Sequence, residues 1–496
     1  MIIKVKNILF PLRFLPLRKV TPAFDFVTLG FIFITSHFIV STDIIQLSVF
    51  GMDPEIQKKF GNPNIWLFSL LSASLFLGNF VGGFIFQKWN LKLCRVEVFQ
   101  LSLLAWITIS VVQIINPFDY TQALITRFFK GLTVSTITYV ISLYMSEIFP
   151  QCVSLVYCLY SEFAQVFGIL ATYAAGSYVI NHDHKMRNFR LLCGIPLLLA
   201  GIIYFCSIYL PQSPFWLVTQ GHYDKAQFIQ NQLAQKNNLE DYPLRNKVEL
   251  VEFYLTSDPE FKNSYSLKKT RLLFITMIKV TCGVFTIQCY SFLFNKLVGE
   301  NETQVGLAIP FFSLLGFALF LVWFHDSKIK SKNRFTTFIV FNFFLFIINV
   351  INCILCGIAF RHGTVRNSYI TGIYCLILLE CAIYPLMTST FPIISKIDFF
   401  YKNRKSKIPF ICTQIETVLI SLYFICAPSL LTDLKHFWGF FLLLGCVTLV
   451  LIVTYYIVYS FFGRRSKDNT EFSKSSDAED QNKNYGSDPI ILTEFV

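Results

Sequence analysis

Residues 122–145 read QALITRFFKGLTVSTITYVISLYM, followed by Ser146-Glu147-Ile148-Phe149-Pro150. A helix needs about 20 mostly apolar residues to cross a hydrocarbon core of roughly 30 Å, and this run is long enough. Arg127 lies inside it. An arginine there costs at least ~2.5 kcal/mol on insertion scales, so it must face a polar interior or a carboxylate partner. The segment therefore reads as one membrane-spanning member of a bundle.

Similar apolar runs lie upstream and downstream, near 24–50, 64–86, 98–115, 153–179 and 191–210. A polar gap covers 211–271, and six further runs follow near 272–294, 305–324, 336–359, 369–391, 408–430 and 437–462. Composition agrees, with 54% hydrophobic and 15% charged residues and a mean hydropathy of +0.54. Soluble domains carry about a quarter charged residues, so the bilayer is the relevant solvent. The expected fold class is an all-α membrane protein with twelve transmembrane helices in two six-helix bundles. Its parts are a cytosolic N-terminal tail (1–22), the first bundle (23–210), a cytosolic linker (211–271), the second bundle (272–462) and a disordered cytosolic tail (463–496).

The net charge of +12 is spread over short loops and does not form a nucleic-acid patch. With both termini inside, cytosolic segments hold about 30 of the basic residues and the outer loops about nine. The sequon Asn301-Glu302-Thr303 falls in an outer loop on the same topology. Most of the 14 cysteines lie in predicted helices, and Cys353 and Cys356 read as core packing. Residues 1–22 are basic but lack a clean apolar stretch, which suggests a cytosolic tail and no cleaved signal.

Two motifs add a family. Arg127-Phe128-Phe129-Lys130-Gly131 with Tyr144-Met145-Ser146-Glu147-Ile148-Phe149-Pro150 resembles the sugar-porter pattern R-F-x-x-G then Y-x-x-E-x-x-P. Pro211-Gln212-Ser213-Pro214-Phe215-Trp216-Leu217 resembles the family's P-E-S-P-R-W-L, with the Glu and Arg replaced. After helix 2, Gly82-Gly83-Phe84-Ile85-Phe86-Gln87-Lys88-Trp89-Asn90 resembles G-x-x-x-D-R-x-G, with Gln87 and Asn90 substituted; Asp326 is kept after helix 8. The resemblance, to the sugar porters of the major facilitator superfamily, spans roughly 25–460. It implies a carrier with a solute path between the halves. Arg127, Gly131, Glu147, Pro150, Pro211, Ser213, Pro214 and Asp326 are the expected gating and structural-motif residues. Glu147 would act either in a state-dependent gate or in a static salt bridge.

The solute positions implied by the resemblance are mostly changed. Ser36 stands where proton-coupled members have Asp, with His37 and Asp43 as substitutes to consider. Lys279, Val280 and Phe285 replace amide side chains of helix 7, Glu162 replaces one in helix 5, and Tyr384 and Ser389 replace Trp and Glu in helix 10. Amides suit hexoses because each offers donor and acceptor together. Glu162, Lys279, Phe285, Gln288, Tyr384, Ser389 and Glu416 are the candidate cavity lining. Lys279 and Glu162 lie roughly 12 and 14 Å inside the cytosolic face, and in the family both positions border the same sugar, so the resemblance implies a facing Glu162–Lys279 ion pair. Such a pair would serve a charged or zwitterionic solute, or plug the cavity. Glu380 is a further intramembrane acid that faces either solute or another helix.

The expected function is secondary transport of a small polar solute by alternating access, with sugar implied by the resemblance. A transport-inactive sensor or trafficking factor is the alternative. No nucleophile elbow, phosphate loop or metal set appears, so no enzyme activity, cofactor or metal is expected. His182-Asp183-His184 reads as a solvated turn. Expected partners are a small-molecule solute and the lipid bilayer, without nucleic acid, for a monomer in a plasma membrane or vacuole-like endomembrane.

Overall fold

In lipid every backbone donor and acceptor must be satisfied within its own segment, so apolar runs of this length fold as helices. The structure, a computed structural model, describes residues 25–50, 64–89, 93–115, 119–181, 185–237, 265–289, 302–326, 331–361, 367–385, 407–431 and 439–457, with isolated positions between them. The first half comprises α1 (Phe26–Phe50), α2 (Ile65–Trp89), α3 (Arg95–Ile115), α4 (Tyr120–Ile148), α5 (Gln151–Asn181) and α6 (Lys185–Cys206). Two helices follow in the polar gap, α7 (Pro214–Thr219) and α8 (Tyr223–Lys236).

The second half begins with a broken helix, α9 (Tyr265–Thr281) and α10 (Val284–Cys289). It continues through α11 (Glu302–Asp326), α12 (Ser331–Arg361), α13 (Asn367–Tyr384), α14 (Ile408–Leu431) and α15 (Gly439–Ile457). Among the described residues nine helices are long and apolar enough to span a membrane, and Leu307–Leu321 and Tyr369–Tyr384 are shorter apolar helices. With the broken α9–α10 pair they make up the twelve expected crossings.

Two elements differ from the sequence reading. Apolarity places the start of the seventh crossing at 272, but α9 begins at Tyr265. Residues 265–271 are polar and basic, and hydropathy marks the hydrocarbon boundary, not the end of hydrogen-bonded helix. The same crossing breaks at Gly283, whose φ of 70° lies in the left-handed region open to glycine. A single glycine in an apolar run carries no advance sign of that break.

Within the first half α2 packs on α4, α1 on α5, and α3 on both α4 and α6. Small residues set the α2–α4 distance: a Cβ on Gly131 would lie 2.0 Å from the Leu75 carbonyl oxygen. Close backbone approach through glycine is a common packing mode between helices in lipid. In the second half α13 packs on α11 and α12, and α9 on α14. The halves meet where α2 packs on α14 and α5 on α11. Phe31, Leu198 and Tyr456 are exposed on the outer faces of their helices, where hydrocarbon is the natural neighbour. The α8 helix buries Ala226, Gln230, Leu233 and Ala234. Its C-cap residue Asn237 accepts a hydrogen bond from the Phe26 backbone N–H at 3.1 Å, tying the linker to the start of α1.

Candidate functional site

Between the halves lies a cavity of about 250 Å³. From the first half it is lined by His37 of α1, Asn79 of α2, Ser142 of α4, and Glu162 and Gln165 of α5. From the second half come Lys279 of α9, Phe285 and Gln288 of α10, Tyr384 of α13, Lys396 beyond it, and Thr413, Glu416 and Thr417 of α14. At the α2–α14 junction Phe410 meets Tyr139 at 5.1 Å and Phe84 at 6.0 Å between ring centroids, while Ser142 and Met145, nearer the linker end of α4, still line the cavity. Toward the opposite end the Tyr173 hydroxyl donates to the Cys289 carbonyl at 3.1 Å, again joining the halves.

The main charged feature of the cavity is a three-residue cluster on the second half. Lys279 Nζ lies 2.8 Å from Glu416 Oε1, and Lys396 Nζ lies 2.6 Å from Glu416 Oε2. Lys396 also reaches the Thr413 hydroxyl at 3.4 Å. The expected direct pairing of Glu162 with Lys279 is therefore corrected: the carboxylate that Lys279 contacts is Glu416. Glu162 lines the same cavity and acts electrostatically on Lys279, Tyr384 and His37. Depth along a helix was readable from sequence; direction around the helix axis was not.

Four of the other expected lining residues divide by environment. Gln288 donates to the Ser313 hydroxyl at 2.7 Å. Phe285 packs near Phe76 and Phe424, with centroids 6.2 and 6.3 Å away, so an aromatic cluster occupies its position. Tyr384 is buried in the cavity wall. Ser389 lies outside the described residues, as do the 301–303 sequon's Asn301 and His182-Asp183-His184. Glu380 is fully buried and accepts from the Asn349 amide at 2.9 Å, a bond from α13 to α12. Its contact is thus with another helix.

The motif residues assemble at the linker end. Glu147, at the end of α4, accepts from Arg95 Nε at 3.3 Å and Nη2 at 3.1 Å, with both side chains almost wholly buried. The Ser213 hydroxyl donates to the same carboxylate at 2.5 Å, and its oxygen accepts from the Trp216 N–H as the N-cap of α7. Pro214 supplies the first residue of α7, where a missing N–H costs nothing. Tyr144 donates to the Pro211 carbonyl. Pro150 is half-buried just beyond α4. Asp326 ends α11, and its side chain lies outside the described residues. Arg95 escaped the sequence reading because it lies past the stretch that carries the helix 2 motif.

A second buried cluster fills the other end of the first half. Asp43 accepts from Lys130 Nζ and from Trp106 Nε1, each at 2.7 Å. The Lys130 ammonium also stands 4.8 Å from the Trp106 ring centroid. Arg127 donates to the carbonyl oxygens of Leu71 at 3.1 Å and Asp43 at 3.2 Å. The intramembrane arginine thus reaches two backbone carbonyls, and the neighbouring lysine pairs with the Asp43 carboxylate. Ser36 turns back on its own helix and donates to the Ile32 carbonyl at 2.7 Å.

Comparison with known proteins agrees with this architecture. The family model described as "Sugar (and other) transporter" matches residues 27–471. The chain is 24% identical over 344 residues to the probable metabolite transport protein YFL040W of Saccharomyces cerevisiae, covering 65% of this chain and 62% of that protein. It is 20% identical over 246 residues to a high-affinity glucose transporter of Kluyveromyces lactis, covering 50% and 44%. The matched stretches thus span less than two thirds of these relatives. Among solved structures, the proton:xylose symporter XylE bound to 6-bromo-6-deoxy-D-glucose superposes with a TM-score of 0.67 at 14% identity, covering 86% of this chain and 94% of that one. A partially occluded inward-open form of XylE from E. coli superposes at 0.66. The fold is that of the major facilitator superfamily, and the chain belongs to the sugar (and other) transporter family, a multi-pass integral membrane protein.

Proposed function

We propose that the chain is a secondary carrier that moves a small polar solute by alternating access, its halves rocking about the central cavity. The observation that carries this reading is a largely apolar cavity at the junction of the halves into which charged side chains of both halves open, with further contacts joining the halves at Phe410 and Tyr173. Carriers of this design bind near the bilayer midplane and open by moving one bundle against the other. The Phe410 contacts and the Tyr173–Cys289 bond are then contacts between the halves that such rocking would rearrange. The Arg95–Glu147–Ser213 network sits where the linker helices dock on α4, suited to bracing one conformation of that end.

Lys and Arg distribution supports cytosolic tails at 1–22 and 463–496 and a cytosolic linker. We read the protein as a monomer in a plasma membrane or vacuole-like endomembrane. A transport-inactive homologue is less well supported, because a cavity lined by charges is retained between the halves. Labelled hexose uptake in cells lacking their own hexose carriers tests the family-implied substrate, with localisation followed in parallel. Uptake above background at the membrane where the protein resides supports a sugar carrier; absence of hexose uptake there argues for another solute.

A further inference from the structure

The charges of the cavity are divided between its two walls. On the second half, Lys279 and Lys396 share the single carboxylate of Glu416, one ammonium on each oxygen, leaving that wall with one net positive charge. On the first half, Glu162 adds one negative charge. The lysine and glutamate side chains of the cluster are 12–15% exposed, so they open to the cavity.

A purely structural brace gains little from this arrangement. Buried ion pairs roughly break even against apolar packing of the same volume, and an unequal cluster of three does worse. A neutral polyol is better served by amides than by full ammonium and carboxylate groups. Ammonium groups that seat the Glu416 carboxylate can seat a second one, since each offers three donors. An anion alone would leave the cavity with an uncompensated charge in a low-dielectric setting. A zwitterion leaves the total unchanged and matches both walls. The volume of about 250 Å³ lies just below the roughly 300–1,000 Å³ of sites for drug-sized ligands, so the occupant is small.

Building on the carrier reading above, we infer that the transported solute is a small zwitterion of the α-amino-acid type. Its carboxylate lies on Lys279 and Lys396, and its ammonium lies toward Glu162. The test is thermal unfolding of the purified full-length protein with L-serine, glucuronate or D-glucose, alongside uptake of the labelled compounds into proteoliposomes. L-serine is expected to raise the unfolding temperature and to be taken up, with glucose at least tenfold weaker in uptake. Lys279→Gln, Lys396→Gln and Glu416→Gln combined should abolish the serine response.

Glu162→Gln, which leaves the lysine cluster whole, should lose the serine response and gain one to glucuronate. That switch of preference distinguishes recognition from a structural role, and it decides the matter even where the triple variant does not fold. Response of the wild type to glucose but not serine would overturn the inference and leave the carrier reading standing. Response to glucuronate but not serine would overturn it as well. Uptake of none of the three compounds by folded protein would overturn both.

Discussion

The Lys279 ammonium lies 2.8 Å from Oε1 of Glu416 and joins α9 to α14 in the wall of the cavity. Because Lys396 holds the other oxygen, the two partners are not equivalent. Glu416→Gln strands two buried ammonium groups and should destabilise the protein by about 3–5 kcal/mol, the usual effect of breaking a buried pair. Lys279→Gln leaves Glu416 neutralised by Lys396 and should have the smaller effect. Thermal unfolding of the two purified variants checks the order; equal losses would show that the lysines do not share the acid.

At the linker end, Glu147→Ala removes the carboxylate paired with Arg95, which is 2% exposed in its side chain. A loss of about 3–5 kcal/mol is expected from breaking this buried pair. Ser213→Ala removes an N-cap and a bond to Glu147 together, for an expected loss of about 1–2 kcal/mol. Chemical or thermal unfolding separates the two magnitudes. If the serine change matches the glutamate change, the network is held mainly by the α7 cap.

Helix contact distance gives a sharper contrast. Gly131→Ala puts a methyl group against the backbone oxygen of Leu75, an atom that cannot move aside without shifting α2. Loss of properly folded protein at the membrane is expected, read by gel-filtration profile and yield. At Gly201 no atom lies within 4 Å of an added Cβ. Gly201→Ala should be neutral or stabilising by up to about 1 kcal/mol from helix propensity, and serves as the control.

Asp43 binds both Lys130 and Trp106. Asp43→Asn should destabilise the first half by about 3 kcal/mol or more, and a combined Asp43→Asn, Lys130→Met protein should recover part of that loss. Unfolding of the wild type, Asp43→Asn, Lys130→Met and the double variant in a double-mutant cycle measures the coupling. Additive losses would mean that Lys130 draws its stability from the Trp106 ring and not from the acid.

Much of the fold was legible in the sequence because bilayer thickness fixes the length of an apolar run. The twelve crossings and the polar gap follow from that one constraint. The Gly283 break was not legible, since a left-handed residue is a tertiary choice that an apolar run conceals. In the site, Glu147, Ser213 and Pro214 were each marked by a family motif, but the Ser213–Glu147 bond between the two motifs was not foreseen, and Arg95 lay beyond both. Lys279 and Glu416 were recognised as intramembrane charges, but depth and the family's shared sugar position favoured Glu162 as the partner of Lys279. Lys396 lies beyond the last apolar residues of its run and was not singled out in the sequence, yet its side chain reaches Glu416 at the cavity.

Alternating access requires a cavity that opens in turn to the two sides of the membrane. The direct measurement places one cysteine at Thr417, in a protein whose Cys158 is replaced by Ser, and labels it with a membrane-impermeant thiol reagent from each face in turn. Labelling from both faces is the expected result for alternating access. Labelling from one face only would contradict it.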